Sequence, residues 1–216
     1  MAQIQVLISI GIMIISLIAG IVFYFFMSPI KQTVKKDHIK QILSFIIDMV
    51  IFIWVSKVIV NIGQFIHDPL AVLAYPSDST AFYLAIGIMI VYLAYKHKRN
   101  KLSIESLIDS FIPIFIGASF VYEFIQVIWY GKSWPYLALL LILMFGYLLV
   151  VDKIPNEVSK LLVLGWSGGQ LLLAVFLPFT SIFKYIISPW FFTVVMIVTL
   201  FHMFHKRKKV TRYGDH

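Results

Sequence analysis

The sequence predicts an all-α membrane protein in which seven transmembrane helices form a single integral membrane domain. Of its 216 residues, 61% are hydrophobic and only 13% are charged, and the mean hydropathy is +0.93. A soluble core of this size cannot bury so much apolar surface. Runs that can cross a hydrocarbon layer of roughly 30 Å lie at residues 2–27, 38–62, 78–96, 104–130, 134–152, 157–179 and 183–205.

The positive charges predict how these helices are oriented. The chain has 18 Lys and Arg residues and a net charge of +8. With seven helices, fifteen of these cations fall on the side of the C-terminus, and only Lys132 and Lys184 fall on the other side. Because cytoplasmic loops are enriched in Lys and Arg, we expect an outer N-terminus and a cytoplasmic C-terminus in the plasma membrane. The charge is then explained by topology, and no nucleic-acid partner is expected.

Two further features agree with this topology. Trp129, Trp134 and Trp190 all fall at the outer ends of predicted helices, where an aromatic belt is expected. The first apolar run has no basic segment before it and exceeds the length of a signal-peptide core, so we interpret it as a helix that is kept.

The motifs of soluble-enzyme chemistry are absent from the sequence. The chain has no cysteine, no glycine-rich phosphate loop, no nucleophile elbow and no HExxH zinc motif. His202 and His205 share a helix face, but without a carboxylate they give a weak metal signal. We therefore expect no metal and no cofactor, and the sequence identifies no catalytic residue.

Two opposite charges fall inside predicted helices at similar depths. An uncompensated carboxylate in hydrocarbon costs roughly 2.5 to 3.5 kcal/mol, so Glu123 needs a partner. Glu123 lies roughly 10 Å below the outer end of its helix, and Lys57 lies roughly 8 Å below the outer end of another. The matched depths predict a Lys57–Glu123 pair. A purely structural ion pair, or a Lys57 that extends to the interface, remains an open alternative.

The sixth predicted helix contributes polar and small residues to the same level. Gln170 lies roughly 14 Å below its outer end and can supply an amide beside Lys57 and Glu123. Gly165 and Gly169 have GxxxG spacing, which allows close helix packing. Pro113 predicts a kink in the fourth helix.

The outer loop between the second and third helices is strongly apolar at residues 65–76, FIHDPLAVLAYP. We interpret it as interfacial, either as a lid over a lipid-accessible cavity or as a re-entrant packing segment.

Several segments together resemble prolipoprotein diacylglyceryl transferase, which moves diacylglyceryl from phosphatidylglycerol onto a lipoprotein cysteine. Residues 55–57, VSK, resemble its Gly-Ala-Arg segment, and residues 79–87, STAFYLAIG, resemble its Ser-Phe-His-Gly helix start. Asp109 and Pro113 match its Asp-x-x-x-Pro arrangement, and residues 120–131, FVYEFIQVIWYG, resemble Arg-x-Gly-Asn-Phe-x-Asn-x-Glu-x-Tyr-Gly.

The resemblance implies an outer-leaflet cavity that binds a membrane phospholipid, with a lipoprotein precursor as a second partner left open. Together with the depth argument it gives five substrate-binding residues, which are Lys57, Glu123, Gln126, Tyr130 and Gln170.

The departures from the family pattern predict altered or missing catalysis. Phe82 stands where the family has histidine, and Phe120 stands where it has the signature arginine. A phenyl ring can neither accept a proton nor neutralise a phosphate. We therefore expect phospholipid binding without ordinary diacylglyceryl transfer; if the protein is active, we expect a phosphatidylglycerol-dependent enzyme of this type.

Two other functions remain open from the sequence. In a small transporter, or a transporter's membrane subunit, Lys57, Asp48, Asp109 and Glu123 would couple charge to movement. A non-catalytic membrane partner or assembly factor is the third alternative, and no motif supports it.

Overall fold

The computed structural model describes residues 2–69, 72, 79–99, 103–155, 157–183 and 185–213, and these residues are mainly helical. The described helices are α1 (Ala2–Met27), α2 (Gln32–Val60), α3 (Ile62–His67), α4 (Ser79–Lys98), α5 (Ile104–Tyr130), α6 (Pro135–Val150), α7 (Val158–Phe176) and α8 (Pro189–Tyr213). A two-stranded hairpin of β1 (Thr180–Ile182) and β2 (Tyr185–Ile187) lies between α7 and α8.

Five helices are long and apolar enough to cross a membrane. They are Leu7–Met27 of α1, together with α2, α4, α5 and α7. The apolar windows of these helices are only 17% to 44% buried, and Phe176 at the end of α7 is 81% exposed. Such an apolar exterior is stable against lipid and not against water. The chain is therefore an all-α membrane protein.

Two shorter apolar helices correspond to the remaining predicted runs. They are Pro135–Val150 and Pro189–His205. Proline begins both helices, at the position where its missing amide hydrogen costs no intrahelical hydrogen bond. Whether these two helices also cross the membrane stays a prediction, as do the positions of the two termini.

Some predicted boundaries were wrong. The second helix begins at Gln32 instead of residue 38, and the last begins at Pro189 instead of residue 183. The second difference arises because Thr180–Ile182 pairs with Tyr185–Ile187 as a hairpin, which ends before the proline that starts α8. Part of the predicted apolar loop forms α3, and residues 70, 71 and 73–78 lie outside the described residues, so the lid interpretation stays untested.

The contacts divide the chain into two compact units that are interleaved along the sequence. The first contains residues 1–30, 111–183 and 187–216, and the second contains residues 31–110 and 184–186. That the whole chain forms a single membrane domain stays a prediction.

Small residues bring helices close together in the first unit. A Cβ atom added at Gly20 of α1 would collide with the Ile114 carbonyl and with Ala118 of α5. Cβ atoms added at Gly165 and Gly169 would meet Leu143 and Leu139 of α6. The interpretation of the GxxxG spacing as a packing surface is confirmed.

The second unit packs α2 against α4. Phe52 and Tyr92 meet edge to face, with ring centroids 5.4 Å apart. Lys96 Nζ lies 3.7 Å from Asp48 Oδ2 and 4.8 Å from the Tyr92 ring centroid. Asp48, which the sequence places inside a transmembrane run, thus has a cationic partner.

We expect Gly20→Ala to destabilise the protein while Gly11→Ala does not. Both glycines lie in α1, but a Cβ at Gly20 would overlap backbone atoms of α5, whereas a Cβ at Gly11 meets nothing within 4 Å. Because the α5 backbone cannot rotate away, the overlap should cost about 1–3 kcal/mol. An unfolding titration in mixed micelles measures the difference. Equal stability of the two variants would contradict the close α1–α5 contact.

Candidate functional site

The end of α5 is built so that a lysine returns toward the helix. Gly131 follows the last helical residue with φ +63°, in the left-handed region that favours glycine. The amide of Lys132 then donates a hydrogen bond to the Gln126 carbonyl at 3.2 Å. This reversal directs the chain back along α5, so that the Lys132 side chain can reach a residue more than one turn below the helix end.

That residue is Glu123, whose carboxylate is buried. Lys132 Nζ donates to Glu123 Oε1 at 2.9 Å and to Oε2 at 2.8 Å. The Glu123 side chain is 1% exposed and that of Lys132 is 31% exposed. A third bond, from Lys132 Nζ to Ser181 Oγ at 3.0 Å, ties the pair to β1. All three ammonium hydrogens are therefore used, and the buried charge is neutralised.

The predicted partner of Glu123 was wrong. Glu123 pairs with Lys132, which follows it by nine residues in sequence. Lys57 is buried in the last turn of α2, within the second unit. The structure does not test its predicted role in substrate binding.

A cavity of about 180 Å³ lies beside this pair in the first unit. Its apolar wall is formed by Leu173, Leu177, Pro178 and Phe179, and its polar wall by Lys132, Ser133, Tyr136, Gln170, Thr180 and Ser181. Gln170 is 1% exposed, and the cavity also brings Lys132 to the same wall. Gln170 thus lines a cavity together with the partner of Glu123, and its predicted role in substrate binding stays a prediction.

Tyr136 connects the cavity to an aromatic cluster. Its hydroxyl accepts a hydrogen bond from Trp166 Nε1 at 3.2 Å, and the Gln170 and Ser119 side chains lie next to it. The Trp166 ring packs edge to face with Phe115 at 5.4 Å. These rings hold the Tyr136 hydroxyl in place at the inner wall of the cavity.

Three buried polar atoms of the first unit have no hydrogen-bond partner within the described part of the chain. They are Ser119 Oγ, Tyr122 Oη and Gln170 Nε2. An unsatisfied polar group in a low-dielectric interior costs about 1–3 kcal/mol, so each is expected to meet water or a ligand. Of the three, only Gln170 lines the cavity, which is large enough for several waters or a small polar group.

Phe183, which follows β1, packs against two aromatic residues of α5. Phe183 has φ +46°, which is unusual for a residue with a side chain. Its ring lies 5.0 Å from the Tyr122 ring and 6.1 Å from the Phe115 ring, measured between centroids. These contacts, together with the Lys132–Ser181 bond, hold the hairpin against α5.

The other predicted site residues have different surroundings. Gln126 is half-buried in α5, and its carbonyl accepts the hydrogen bond from the Lys132 amide that ends the helix. Tyr130 is the last residue of α5 and is 57% exposed. Neither lines the cavity, and their role in substrate binding stays a prediction.

Sequence reasoning missed three residues of this site, which are Lys132, Ser181 and Tyr136. The available signal was the Gly131-Lys132 step, because a glycine after a helix allows the next side chain to turn back over the last turns. Ser181 and Tyr136 offered no comparable signal, since their positions depend on the hairpin and on the α6–α7 contact.

The donors of this site are suited to binding and not to proton transfer. The Glu123 carboxylate is held by two ammonium hydrogen bonds, so both of its oxygens are already engaged in an ion pair. Within the described part of the chain, Gln170 Nε2 has no hydrogen-bond partner, and its side chain lines the cavity beside an apolar wall. Among the described residues, no group of three His, Cys, Asp or Glu could hold a metal ion.

Comparisons with protein-family models, with curated proteins and with solved structures gave no match.

We expect Glu123 and Lys132 to be strongly coupled in stability. Lys132→Met should cost about 3–5 kcal/mol because it leaves a buried carboxylate without a cation, and adding Glu123→Gln should recover about 2 kcal/mol of this loss. The test is a double-mutant cycle by unfolding titration in mixed micelles.

The matched control is the Glu157–Lys160 pair, whose N–O distance of 2.8 Å equals that of Glu123–Lys132. Its Glu157 side chain is 41% exposed, so its coupling should stay below about 1 kcal/mol. Equal coupling in the two pairs would show that burial does not strengthen the Glu123–Lys132 interaction.

Proposed function

We propose that this chain is a membrane protein that binds a phospholipid through the cavity beside Lys132 and Gln170. The observation that carries the proposal is the buried Gln170 side chain, which lines an apolar-walled cavity and whose Nε2 forms no hydrogen bond within the described residues. A buried donor in such a place favours a ligand that brings an acceptor oxygen together with apolar surface.

A phospholipid has both features in one molecule. The carbonyl oxygen of its acyl ester can accept the Gln170 hydrogen bond, while the adjoining methylenes cover Leu173, Leu177 and Phe179. Lys132 lies at the same wall and can exchange its bond to Ser181 for one to a phosphate oxygen without leaving Glu123. The cavity of about 180 Å³ is too small for whole acyl chains, so it would hold only the polar and ester region.

We place this cavity in the outer leaflet of the plasma membrane. The support is the distribution of cations in the sequence, which favours seven spans with an outer N-terminus and a cytoplasmic C-terminus. In that topology the α5–α6 connection, which carries Lys132, faces outward.

We extend the proposal to a distant kinship with the prolipoprotein diacylglyceryl transferases. The support is the resemblance of residues 120–131, in which Phe124, Tyr130 and Gly131 match the family pattern. Gly131 also turns the chain so that Lys132 reaches Glu123 beside the cavity. The expected histidine and arginine are replaced by Phe82 and Phe120, so the bound lipid would not undergo ordinary diacylglyceryl transfer. A lipoprotein precursor is the second partner that this kinship implies.

A small transporter, or its membrane subunit, is the alternative function. The half-buried Asp48–Lys96 pair between α2 and α4 favours it, because intramembrane charge pairs can couple ion movement to a conformational change. A transporter needs charged groups that change partners as the solute moves. Lipid binding requires only the cavity of the first unit. Solute uptake by proteoliposomes without saturable lipid binding would favour the transporter.

We expect the two ends of α5 to face opposite sides of the membrane. Ser103, just before α5, and Ser133, just after it, are both exposed, and the chain has no native cysteine. An impermeant thiol reagent added to intact cells should label Ser133→Cys directly and Ser103→Cys only after permeabilisation. The reverse labelling pattern would overturn the proposed orientation.

We expect Gln170→Leu to weaken phospholipid binding about three- to tenfold, because one hydrogen bond contributes about 0.5–1.5 kcal/mol. The measurement is a titration of the full chain in neutral micelles with fluorescent phosphatidylglycerol. Gln41→Leu removes an exposed amide from α2 and should leave binding unchanged.

Absence of saturable binding in the unsubstituted protein would contradict the lipid proposal. Adding a lipobox peptide to the same mixture tests turnover, and a gain of one diacylglyceryl mass on the peptide would contradict the expected lack of transfer.

A further inference from the structure

A second polar cluster lies in the other unit, where His38 of α2 is bracketed by two serines of α5. Ser106 Oγ lies 2.7 Å from His38 Nε2, and Ser110 Oγ lies 2.7 Å from His38 Nδ1. The two serines are four residues apart and therefore share one face of α5. Both ring nitrogens are thus bonded to hydroxyl groups.

The hydrogen bonds define which nitrogen carries the proton. Ser110 Oγ donates to the Ser106 carbonyl at 2.8 Å, and a hydroxyl has a single hydrogen to donate. Ser110 Oγ must therefore accept a hydrogen bond from His38 Nδ1–H. In the neutral ring Nε2 is then the acceptor, and the Ser106 hydroxyl donates to it.

We propose that Ser106 is a nucleophile activated by His38, with Ser110 as the positioning residue. A serine hydroxyl that donates to a neutral imidazole can lose its proton as it attacks an electrophile. The carboxylates of Asp37 and Asp109 lie close enough to the ring to interact with its charge, so they would stabilise the imidazolium that forms. No carboxylate is needed to orient the ring, because the Ser110 hydroxyl accepts its Nδ1–H.

The location of Ser106 favours an acyl ester as the substrate. A helix of 27 residues such as α5 is about 40 Å long, which exceeds the roughly 30 Å hydrocarbon layer by about 10 Å. Ser106 is the third residue of α5 and therefore lies in the interfacial region, where the ester groups of membrane lipids are found. It is partly exposed, and its own amide donates a hydrogen bond to Ser103 Oγ at 3.3 Å.

The reaction would be an acyl transfer. Ser106 Oγ attacks the ester carbonyl carbon while its proton moves to His38 Nε2. The ester C–O bond then breaks, the leaving alcohol takes that proton, and the acyl group stays on Ser106 as a new ester. Water, or a second alcohol, attacks the acyl-serine by the same route, and its proton returns to the Ser106 oxygen through His38. No oxidant, metal or cofactor enters this balance.

An alkyl fluorophosphonate tests this proposal on the full chain in neutral micelles. The probe forms a covalent bond only with an activated serine, and peptide mass spectrometry identifies the modified residue. We expect the adduct on Ser106 of the unsubstituted protein. The central observation therefore does not depend on the folding of any variant. No adduct, or an adduct on another serine alone, would overturn the proposal.

Variants then separate activation from structural support. His38→Gln should slow labelling at least 100-fold, since a general base contributes about 10²–10⁴ to the rate. Ser110→Ala should slow labelling, and Ser110→Thr, which retains the hydroxyl, should restore it. Ser16→Ala removes a buried serine of α1 that likewise donates to the carbonyl four residues earlier, and should label normally.

Labelling rates are compared only between proteins that have the same thermal stability in the same detergent. Unchanged labelling in a stable His38→Gln protein would show that His38 only satisfies the hydrogen bonds of the two serines, and would overturn its role as the base.

Discussion

The buried Glu123 carboxylate is the constraint on which the first unit depends. A lone carboxylate at this depth would destabilise the membrane-inserted chain, so α5 must end in a way that returns a cation to it. The left-handed Gly131 and the Lys132 side chain meet this need, and the remaining ammonium hydrogen bonds Ser181 of the hairpin. The Lys132 ammonium thus both neutralises Glu123 and holds β1 in position. The cavity wall that includes Lys132, Thr180 and Ser181 depends on these bonds.

The sequence predicted well those features that depend on composition or on one helix. The apolar runs correspond to the described helices because hydrocarbon selects a long apolar segment wherever it occurs. The close contacts of Gly165 and Gly169 were predictable from their spacing, since the absence of a side chain is itself the signal. The hairpin at Thr180–Ile187 was not predictable, because three-residue strands carry no periodic pattern and their apolar residues continued the expected helix.

The partner of Glu123 was mispredicted because depth was computed along straight helices. On straight helices only residues inside the spans are candidate partners, because the connections are assigned to the water phase. Lys57 is then the cation whose depth matches that of Glu123. A lysine has a flexible stem of four carbons, and after a glycine reversal its ammonium can reach a carboxylate that is more than one turn inside the span. Gln170 lines the cavity together with Lys132, and its depth in the membrane stays a prediction. Tyr136 was not singled out, since a tyrosine beside Pro135 at a helix start is typical of an interfacial anchor.

Glu123 and Ser106 belong to the same helix, yet their surroundings suit different chemistry. Glu123 is ionically paired through both oxygens, so proton transfer would first require breaking two charge-assisted bonds in a poorly solvated region. Each ring nitrogen of His38 lies 2.7 Å from a serine hydroxyl, and Nε2 can accept the proton of the Ser106 hydroxyl that donates to it. A binding site gains from fixed charges that do not move, whereas a general base must change its protonation state during the reaction. The first arrangement is therefore suited to holding a lipid ester beside Gln170, and the second to cleaving an ester at Ser106.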